Sequence, residues 1–183
     1  MRLMMDACIL YPTVLREILI GLAKARLYTP LWSPRILEEW ARAAARTGVE
    51  DVARAEIALL RAGWPKAEIV PEAEVMATLS LPDEDDVHVL AAAIAGRAEA
   101  VLTVNLRDFP GRTLARHGLT VRTPDILILE FLEAEKDTVT PVVEAVRART
   151  ETLSGRPQPL RPLLKRAGLP RTAKRLAPAS ASP

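Results

Sequence analysis

The stretch DEDDVHVLAAAIAGRAEAVLTVNLRDF, residues 83–109, places four acidic side chains directly before a long apolar run. Carboxylates at the start of a helix are stabilised by the helix dipole and by the free N–H groups of its first turn. Capping therefore explains the first three acids of the stretch. It does not explain Asp86, which helical spacing places on the same face as Val89 and Leu90. A carboxylate directed at a core is costly unless it is paired or binds a metal.

Strands alternate with helices along the chain. The segments RLMMDACIL near the N-terminus, AVLTV and LTVRT are short, apolar and rich in branched residues, as strands are. Ser33 and Pro34 are typical of a helix start, and a further helix is predicted over residues 50–63. A short strand, AEIVP, is expected after it. This alternation predicts the α/β class, with a parallel sheet covered on both faces.

The composition predicts a soluble, cytoplasmic protein. The chain has 183 residues, of which 49% are hydrophobic and 26% are charged. We find no apolar stretch of the roughly 18 residues that a membrane-spanning helix needs, and MRLMMDACIL lacks the features of a secretion signal. The single cysteine, Cys8, excludes an intramolecular disulfide and a zinc site built on several thiolates. We expect it to be buried in a strand.

Four acids occupy positions that suit a metal site. Ligands of parallel sheets bind beyond the carboxyl ends of the strands, where Asp6 and Asp108 follow predicted strands. Helical spacing places Glu39 at the border of an apolar stripe and Glu38 near the opposite side. Asp86 lies on the apolar stripe of the later helix, the one that carries Val89 and Leu90. Because we find no Lys or Arg at a matching inward position, the sequence indicates a metal rather than a salt bridge.

The residue types define the expected ion. Oxygen donors suit Mg²⁺ or Mn²⁺, whereas His88, predicted to face solvent, and His117 have neither the number nor the spacing for zinc. A haloacid dehalogenase-type phosphatase needs a second aspartate where Cys8 stands. A phosphoacceptor receiver domain needs a lysine after a late strand, which we do not find.

The chain resembles the PIN-domain ribonucleases, particularly the VapC-type toxins of bacterial toxin-antitoxin pairs. The resemblance rests on MMDACIL at the first strand, SPRILEEW at the second helix and the stretch 83–109, in that order. It implies a PIN-like three-layer α/β/α sandwich with a central parallel sheet over residues 1–135. After this region we expect a basic helical C-terminal extension over residues 136–176 and then a disordered tail over residues 177–183.

The resemblance also implies roles for individual residues. The catalytic and metal-binding acids of the family fall on Asp6, Glu39, Asp86 and Asp108. Three residues are expected to support these acids. Asn105 could share the role of the fourth acid with Asp108, and Thr103 would orient both. Asp83 would act through an outer-shell water or as a helix cap. Three arginines that follow the site are expected to contact RNA phosphates: Arg107, Arg112 and Arg116.

The implied activity is hydrolysis of RNA phosphodiester bonds by an endoribonuclease that depends on Mg²⁺ or Mn²⁺. RNA, a cognate antitoxin and a second copy in a homodimer are the implied partners, and no membrane is expected. The alternative is a catalytically silent PIN-fold module that binds RNA or a protein partner.

The end of the chain has a charge pattern of its own. Residues 1–154 hold 18 Lys and Arg against 23 Asp and Glu, whereas residues 155–183 hold seven Lys and Arg and no acid. Gly168 and Pro170 are expected to separate two short helices there. This segment could bind RNA, dock an antitoxin or pack on the rest of the protein.

Overall fold

Four parallel strands form one sheet. The computed structural model describes residues 1–177, so all but the first residue of the predicted tail lies outside the described residues. The strand order is β2-β1-β3-β4, where the strands are β1 (Arg2–Met5), β2 (Thr29–Leu31), β3 (Ala100–Leu102) and β4 (Thr120–Arg122). The predicted α/β class with a parallel sheet is confirmed.

The register of the sheet aligns the ends of its two inner strands. Met5 of β1 lies opposite Leu102 of β3, and each is the last residue of its strand. The carboxyl ends of parallel strands lie at the same end of the sheet, so Asp6 and Thr103, which follow β1 and β3, lie side by side there. The backbone N–H of Asp6 donates to the carbonyl of Leu102 at 3.1 Å, which extends the ladder by one further bond.

Two strand assignments differ from the sequence prediction. The strand β2 was not predicted, because Pro30 within it cannot donate to a ladder. Its place at the edge of the sheet makes the proline tolerable. The predicted strand AEIVP forms only an isolated bridge, in which Glu68 pairs with Trp32.

Helices connect the strands and make up most of the remaining chain. Their bounds are α1 (Ala7–Leu10), α2 (Thr13–Lys24), α3 (Pro34–Ala45), α4 (Glu50–Gly63), α5 (Ala73–Met76), α6 (Val87–Ala95), α7 (Gly111–Ala115), α8 (Pro124–Ala134), α9 (Lys136–Ser154), α10 (Leu160–Arg166) and α11 (Pro170–Leu176). The predicted start of α3 is confirmed, since Ser33 Oγ accepts the N–H of Ile36 at 3.2 Å. The predicted helix over residues 50–63 is α4.

The contacts within the chain define two compact units. One comprises Met1–Tyr11 and Tyr28–Arg122, and the other comprises Pro12–Leu27 and the described residues from Thr123 onward. The first unit contains the sheet, with α6 packed on β1 and β3. The PIN-like region was predicted to end at residue 135. The division into compact units does not test that limit, which stays a prediction.

The second unit consists of helices. In it α9 packs against α2, where a Cβ on Gly21 would lie 2.6 Å from Val142 Cγ1, so glycine permits the close approach. The helix α9 begins at Lys136 and carries Pro141 inside it. Gly168, at φ +77°, separates α10 from α11, as predicted. No helix in the described residues is long and apolar enough to cross a membrane.

Candidate active site

Asp6 is held at the sheet edge by side chains on both sides. It is buried, and its Oδ2 accepts a hydrogen bond from the hydroxyl of Thr103 at 2.7 Å. Thr103 is fully buried, so this bond is shielded from solvent. In the part of the chain that the structure describes, Oδ1 of Asp6 accepts no hydrogen bond. One oxygen of the carboxylate is therefore fixed by the protein and the other is left for a further ligand.

Cys8 is the second donor to Asp6. It lies in α1 rather than in a strand, which corrects the sequence prediction, and its Sγ is 3.0 Å from Asp6 Oδ2. Burial and then the charge of Asp6 raise the pKa of the Cys8 thiol to about 12. The thiol thus remains protonated near neutral pH and can donate its proton to the carboxylate. Its position two residues after Asp6 was visible in the sequence, but its direction depends on the tight helical turn after β1.

The acids at 83–86 divide between capping and the site. Glu84–Asp86 form a 3₁₀ turn, and Asp83 Oδ1 accepts the N–H of Asp85 at 2.9 Å. The predicted capping role of Asp83 is thereby seen directly. The α-helix starts only at Val87, later than the sequence suggested, and Asp86 occupies its N-cap position without a side-chain cap bond. Asp86 therefore stays available to other groups.

Electrostatics show which acids are neighbours. Partial burial and the negative charges of Asp6, Asp83 and Asp108 raise the pKa of Asp86 to about 6. Like charges favour the protonated form of a carboxylate, so these four side chains share one electrostatic environment. The structure thus brings together three of the four predicted catalytic acids, with the capping aspartate beside them.

The loop after β3 carries two further predicted site residues, Asn105 and Asp108. Thr103 Oγ1 accepts the backbone N–H of Asn105 at 3.0 Å, and the carbonyl of Asn105 accepts the N–H of Asp108 at 3.2 Å. Phe109, which is fully buried, anchors the end of the loop. Thr103 therefore orients the backbone of this loop as well as the carboxylate of Asp6. The side chain of Asn105 is exposed.

Glu39 is placed in a different electrostatic setting. Its Oε1 lies 2.9 Å from His88 Nε2 and 3.2 Å from Arg35 Nε. The His88 contact is close but is not aligned as a hydrogen bond. Burial favours a higher pKa for Glu39, but His88 and Arg35 outweigh that effect and the pKa is lowered. The pKa of Glu39 is thus lowered, whereas the pKa of Asp86 is raised.

The position of His88 corrects a sequence prediction. His88 was expected to face solvent, but it is buried, because α6 is buried nearly all round. The uniformly apolar sequence of that helix was a signal of such burial. Arg35, which is exposed, joins Glu39 to the acidic turn through Asp85 at 3.3 Å. Its position four residues before Glu39 was a signal for this ion pair.

Glu38, next in sequence, contacts other groups. Its carboxylate pairs with Arg54 at 3.2 Å and with Arg42 at 3.8 Å, and its hydrogen bond to Arg54 is the main cause of its lowered pKa. Arg54 belongs to α4, so Glu38 serves the packing of two helices. The two adjacent glutamates are therefore different in their surroundings, as the helical spacing predicted.

The donor atoms fit a divalent cation in their chemistry. Mg²⁺ and Mn²⁺ prefer carboxylate oxygens, which Asp6, Asp86 and Asp108 supply. As the side chains stand, no three His, Cys, Asp or Glu within the described residues lie close enough to coordinate one ion. Mutual repulsion favours separated side chains. Coordination would therefore require rotamer changes, and Glu39 would have to exchange its contacts with His88 and Arg35.

The three arginines predicted to contact RNA lie on the surface. Arg107 belongs to the loop after β3, Arg112 to α7, and Arg116 directly follows α7. All three are exposed. No ion pair within residues 1–177 involves any of them. They are accessible to an anion, and their predicted role stays a prediction.

The sheet, the acids at its edge and the order of the motifs define a known class of protein. The PIN domain family model matches residues 2–107, and the chain belongs to the PIN domain family. The predicted PIN-like fold is thereby confirmed.

A curated relative extends the comparison. The chain is 36% identical over 58 residues to a protein of Mycobacterium tuberculosis (strain ATCC 25618 / H37Rv) named "Putative ribonuclease VapC50". The match covers 32% of this chain and only 34% of that protein. No solved structure matches the chain. The expected resemblance to VapC-type proteins is confirmed over this segment.

The raised pKa of Asp86 predicts how stability depends on pH. The usual value is 3.8 and the folded protein raises it to about 6, so the folded form binds the proton more tightly than the unfolded chain. Ionised Asp86 destabilises the fold above about pH 6, and this penalty disappears as the pH falls towards about 4. In EDTA, wild type should gain stability over Asp86→Asn between about pH 7 and about pH 5. Urea unfolding measures this, and parallel shifts in both proteins would contradict it.

Proposed function

We propose that this PIN domain is an endoribonuclease that requires Mg²⁺ or Mn²⁺ and acts as the toxin of a toxin-antitoxin pair in the cytoplasm. The observation that supports it best is the raised pKa of Asp86, which results from its partial burial and then from the negative charges of Asp6, Asp83 and Asp108. Such a cluster attracts a cation. The ribonuclease name of the relative supports RNA as the substrate class.

The chain's own residues divide the work at this site. Asp6, Asp86 and Asp108 would hold the ion, while Thr103 and Cys8 fix the orientation of Asp6 through its Oδ2. A bound divalent cation supplies positive charge at the scissile phosphodiester and lowers the pKa of an attacking water. Exposed Arg107 would contact a neighbouring phosphate of the RNA. In this scheme the protein contributes no nucleophile of its own.

Partners follow from the same proposal. A VapC-type toxin implies a cognate antitoxin that silences it and a second copy of the chain in a homodimer. The matched segment is about a third of the relative, so both partners rest on the proposal and on the resemblance. Co-expression with the neighbouring open reading frames, followed by size-exclusion chromatography, tests them.

The decisive experiment is cleavage of labelled RNA by the purified full-length chain. We expect hydrolysis with Mg²⁺ or Mn²⁺ and none with excess EDTA, because the carboxylates need the ion to act. Cleavage that persists unchanged in EDTA would refute the metal-dependent mechanism. A matched preparation of Asp86→Asn controls for contaminating ribonucleases.

A catalytically silent module is the second candidate, and one observation favours it. Glu39 pairs with Arg35 and lies against His88, and no three ligands converge on one point within residues 1–177. Such a protein would bind RNA or a partner without hydrolysing it. Absence of cleavage at every Mg²⁺ and Mn²⁺ concentration, combined with measurable RNA binding, would favour this candidate.

The two adjacent glutamates provide a matched pair of variants. We expect Glu39→Gln to slow cleavage by roughly 10- to 100-fold, the range typical for groups that support a metal site. Glu38→Gln should stay within about twofold of wild type, since Glu38 contacts Arg54 and Arg42 on another face. Initial rates on the same labelled RNA measure both. Equal rates for the two variants would contradict the assignment of Glu39 to the site.

A further inference from the structure

The cations that follow α9 have no acidic partner among the described residues. Residues 155–177 contain seven Lys and Arg and no acid. We call the surface they form the basic surface; it comprises Arg156, Arg161, Lys165, Arg166, Arg171, Lys174 and Arg175. All are exposed except Arg161, which is half-buried. In the described part of the chain none of the seven takes part in an ion pair.

Two arginines elsewhere in the chain, Arg54 and Arg147, have acidic partners on both sides. Arg54 pairs with Glu38 and Glu50, and Arg147 pairs with Glu144 and Glu151. Their charges are compensated within the protein. The basic surface instead concentrates like charges, which repel one another unless an external anion neutralises them.

The apolar faces of the two helices are already occupied. Leu163, Leu164 and Leu169 are buried, and α10 and α11 pack against each other and against α8 and α9. Packing within the unit therefore explains the leucines but not the cations. Docking of a partner helix would require an apolar face that these helices no longer offer.

The start of α11 is anchored by hydrogen bonds to its backbone. Asp125 Oδ1 and Oδ2 accept the backbone N–H groups of Thr172 and Arg171, both at 2.9 Å. This anchors the start of α11 to α8. Arg171, Lys174 and Arg175 follow a three- and four-residue spacing, which places them on one helical face. Exposed cations on one face of an anchored helix suit a repeating polyanion.

We propose that the basic surface binds the phosphate backbone of RNA, separately from the acidic site. The inference rests on the proposed function in that the RNA bound there is the RNA to be cleaved. Backbone contacts of this kind depend on charge and not on base sequence. The basic surface would thus raise affinity for long RNA without selecting the cleavage site.

The test compares two variants with the same loss of charge, both in full-length Asp6→Asn protein so that the RNA stays intact. The first variant replaces Lys165, Arg171, Lys174 and Arg175 by Gln. The control replaces four exposed cations outside the basic surface by Gln: Lys24, Arg46, Lys66 and Lys136. Circular dichroism verifies that both remain folded, which the exposure of these side chains favours.

Binding of labelled single-stranded RNA is measured over a range of salt concentrations. The first variant should lose about tenfold or more in affinity, and the slope of log K against log salt should flatten by about 3, because each phosphate contact contributes about 0.7. The control should stay within about twofold. An unchanged slope in the first variant, or an equal loss in both, would overturn the proposal. Binding of polyglutamate is measured in the same way as a model of an acidic protein. If the first variant loses polyglutamate binding but keeps RNA binding, the surface binds an acidic protein and the proposal is overturned.

Cleavage by the catalytically intact chain separates this inference from the proposed function. If wild type binds RNA through the basic surface but does not hydrolyse it, the proposed function fails and the inference holds. If hydrolysis occurs and the Gln variant binds long RNA normally, the inference fails alone. Faster cleavage of a short oligonucleotide by the variant would show that the cations compete for the acidic site, and would also overturn the proposal.

Discussion

Replacing Asp6 by Asn is expected to lower the rate of RNA cleavage by at least about a hundredfold, because losing a ligand costs no less than losing an outer-shell group. The amide oxygen can still accept from Thr103 and Cys8, which now bond to Oδ2. The amide nitrogen that replaces the other oxygen cannot ligate a cation. The substitution therefore removes chemistry while keeping the packing.

The free energy of unfolding of Asp6→Asn should show that its loss of cleavage is not caused by unfolding. The charge of Asp6 raises the pKa of Asp86, so the variant should be as stable as wild type or more stable at neutral pH in EDTA. Asp51→Asn, which changes an exposed acid in α4, is the matched control and should cleave at the wild-type rate. Initial rates and urea unfolding measure the two properties. A fully active Asp6→Asn protein would remove Asp6 from the proposed site.

Replacing Asp125 by Ala is expected to destabilise the helical unit by about 2–4 kcal/mol, as the loss of a charged cap with several hydrogen bonds does. Asp125 is mostly buried and accepts from both backbone N–H groups at the start of α11. Its Oδ1 also accepts the hydroxyl of Thr172 at 2.8 Å. Alanine would leave all three donors without this acceptor.

Thr172→Val serves as the graded comparison for Asp125. It removes only the hydroxyl bond and keeps both backbone bonds, so its cost should be clearly smaller. Hydrogen exchange at the amides of Arg171 and Thr172, with chemical unfolding followed by circular dichroism, measures both effects. Unchanged protection of these amides in the Asp125 variant would contradict the role of Asp125 as the anchor of α11.

Local signals in the sequence predicted much of the fold. Ser33 with Pro34, and Gly168 with Pro170, act through backbone geometry within a few residues, and the helix boundaries they predicted are those observed. The strand β2 was missed because Pro30 argues against a strand wherever the position in the sheet is unknown. Whether a strand lies at an edge depends on the order of all the strands, which local patterns do not encode.

The candidate site was predictable to a similar extent. Helical spacing separated Glu39 from Glu38, and their different partners agree with that separation. Spacing could not show that His88 contacts Glu39, because the two residues are on different helices. Nor could it show that Cys8 donates to Asp6, since the direction of a side chain in a tight turn follows from the packing around it.

The hydrogen bond between Thr103 and Asp6 has a consequence for protein synthesis. The two residues are 97 positions apart in the chain, and the strands before them pair only when both are present. A growing chain therefore completes this edge only after its first half and the loop carrying Asp108 have left the ribosome. Contacts of such long range form slowly. Under the proposed function, the site that cleaves RNA is complete only when most of the domain has been made.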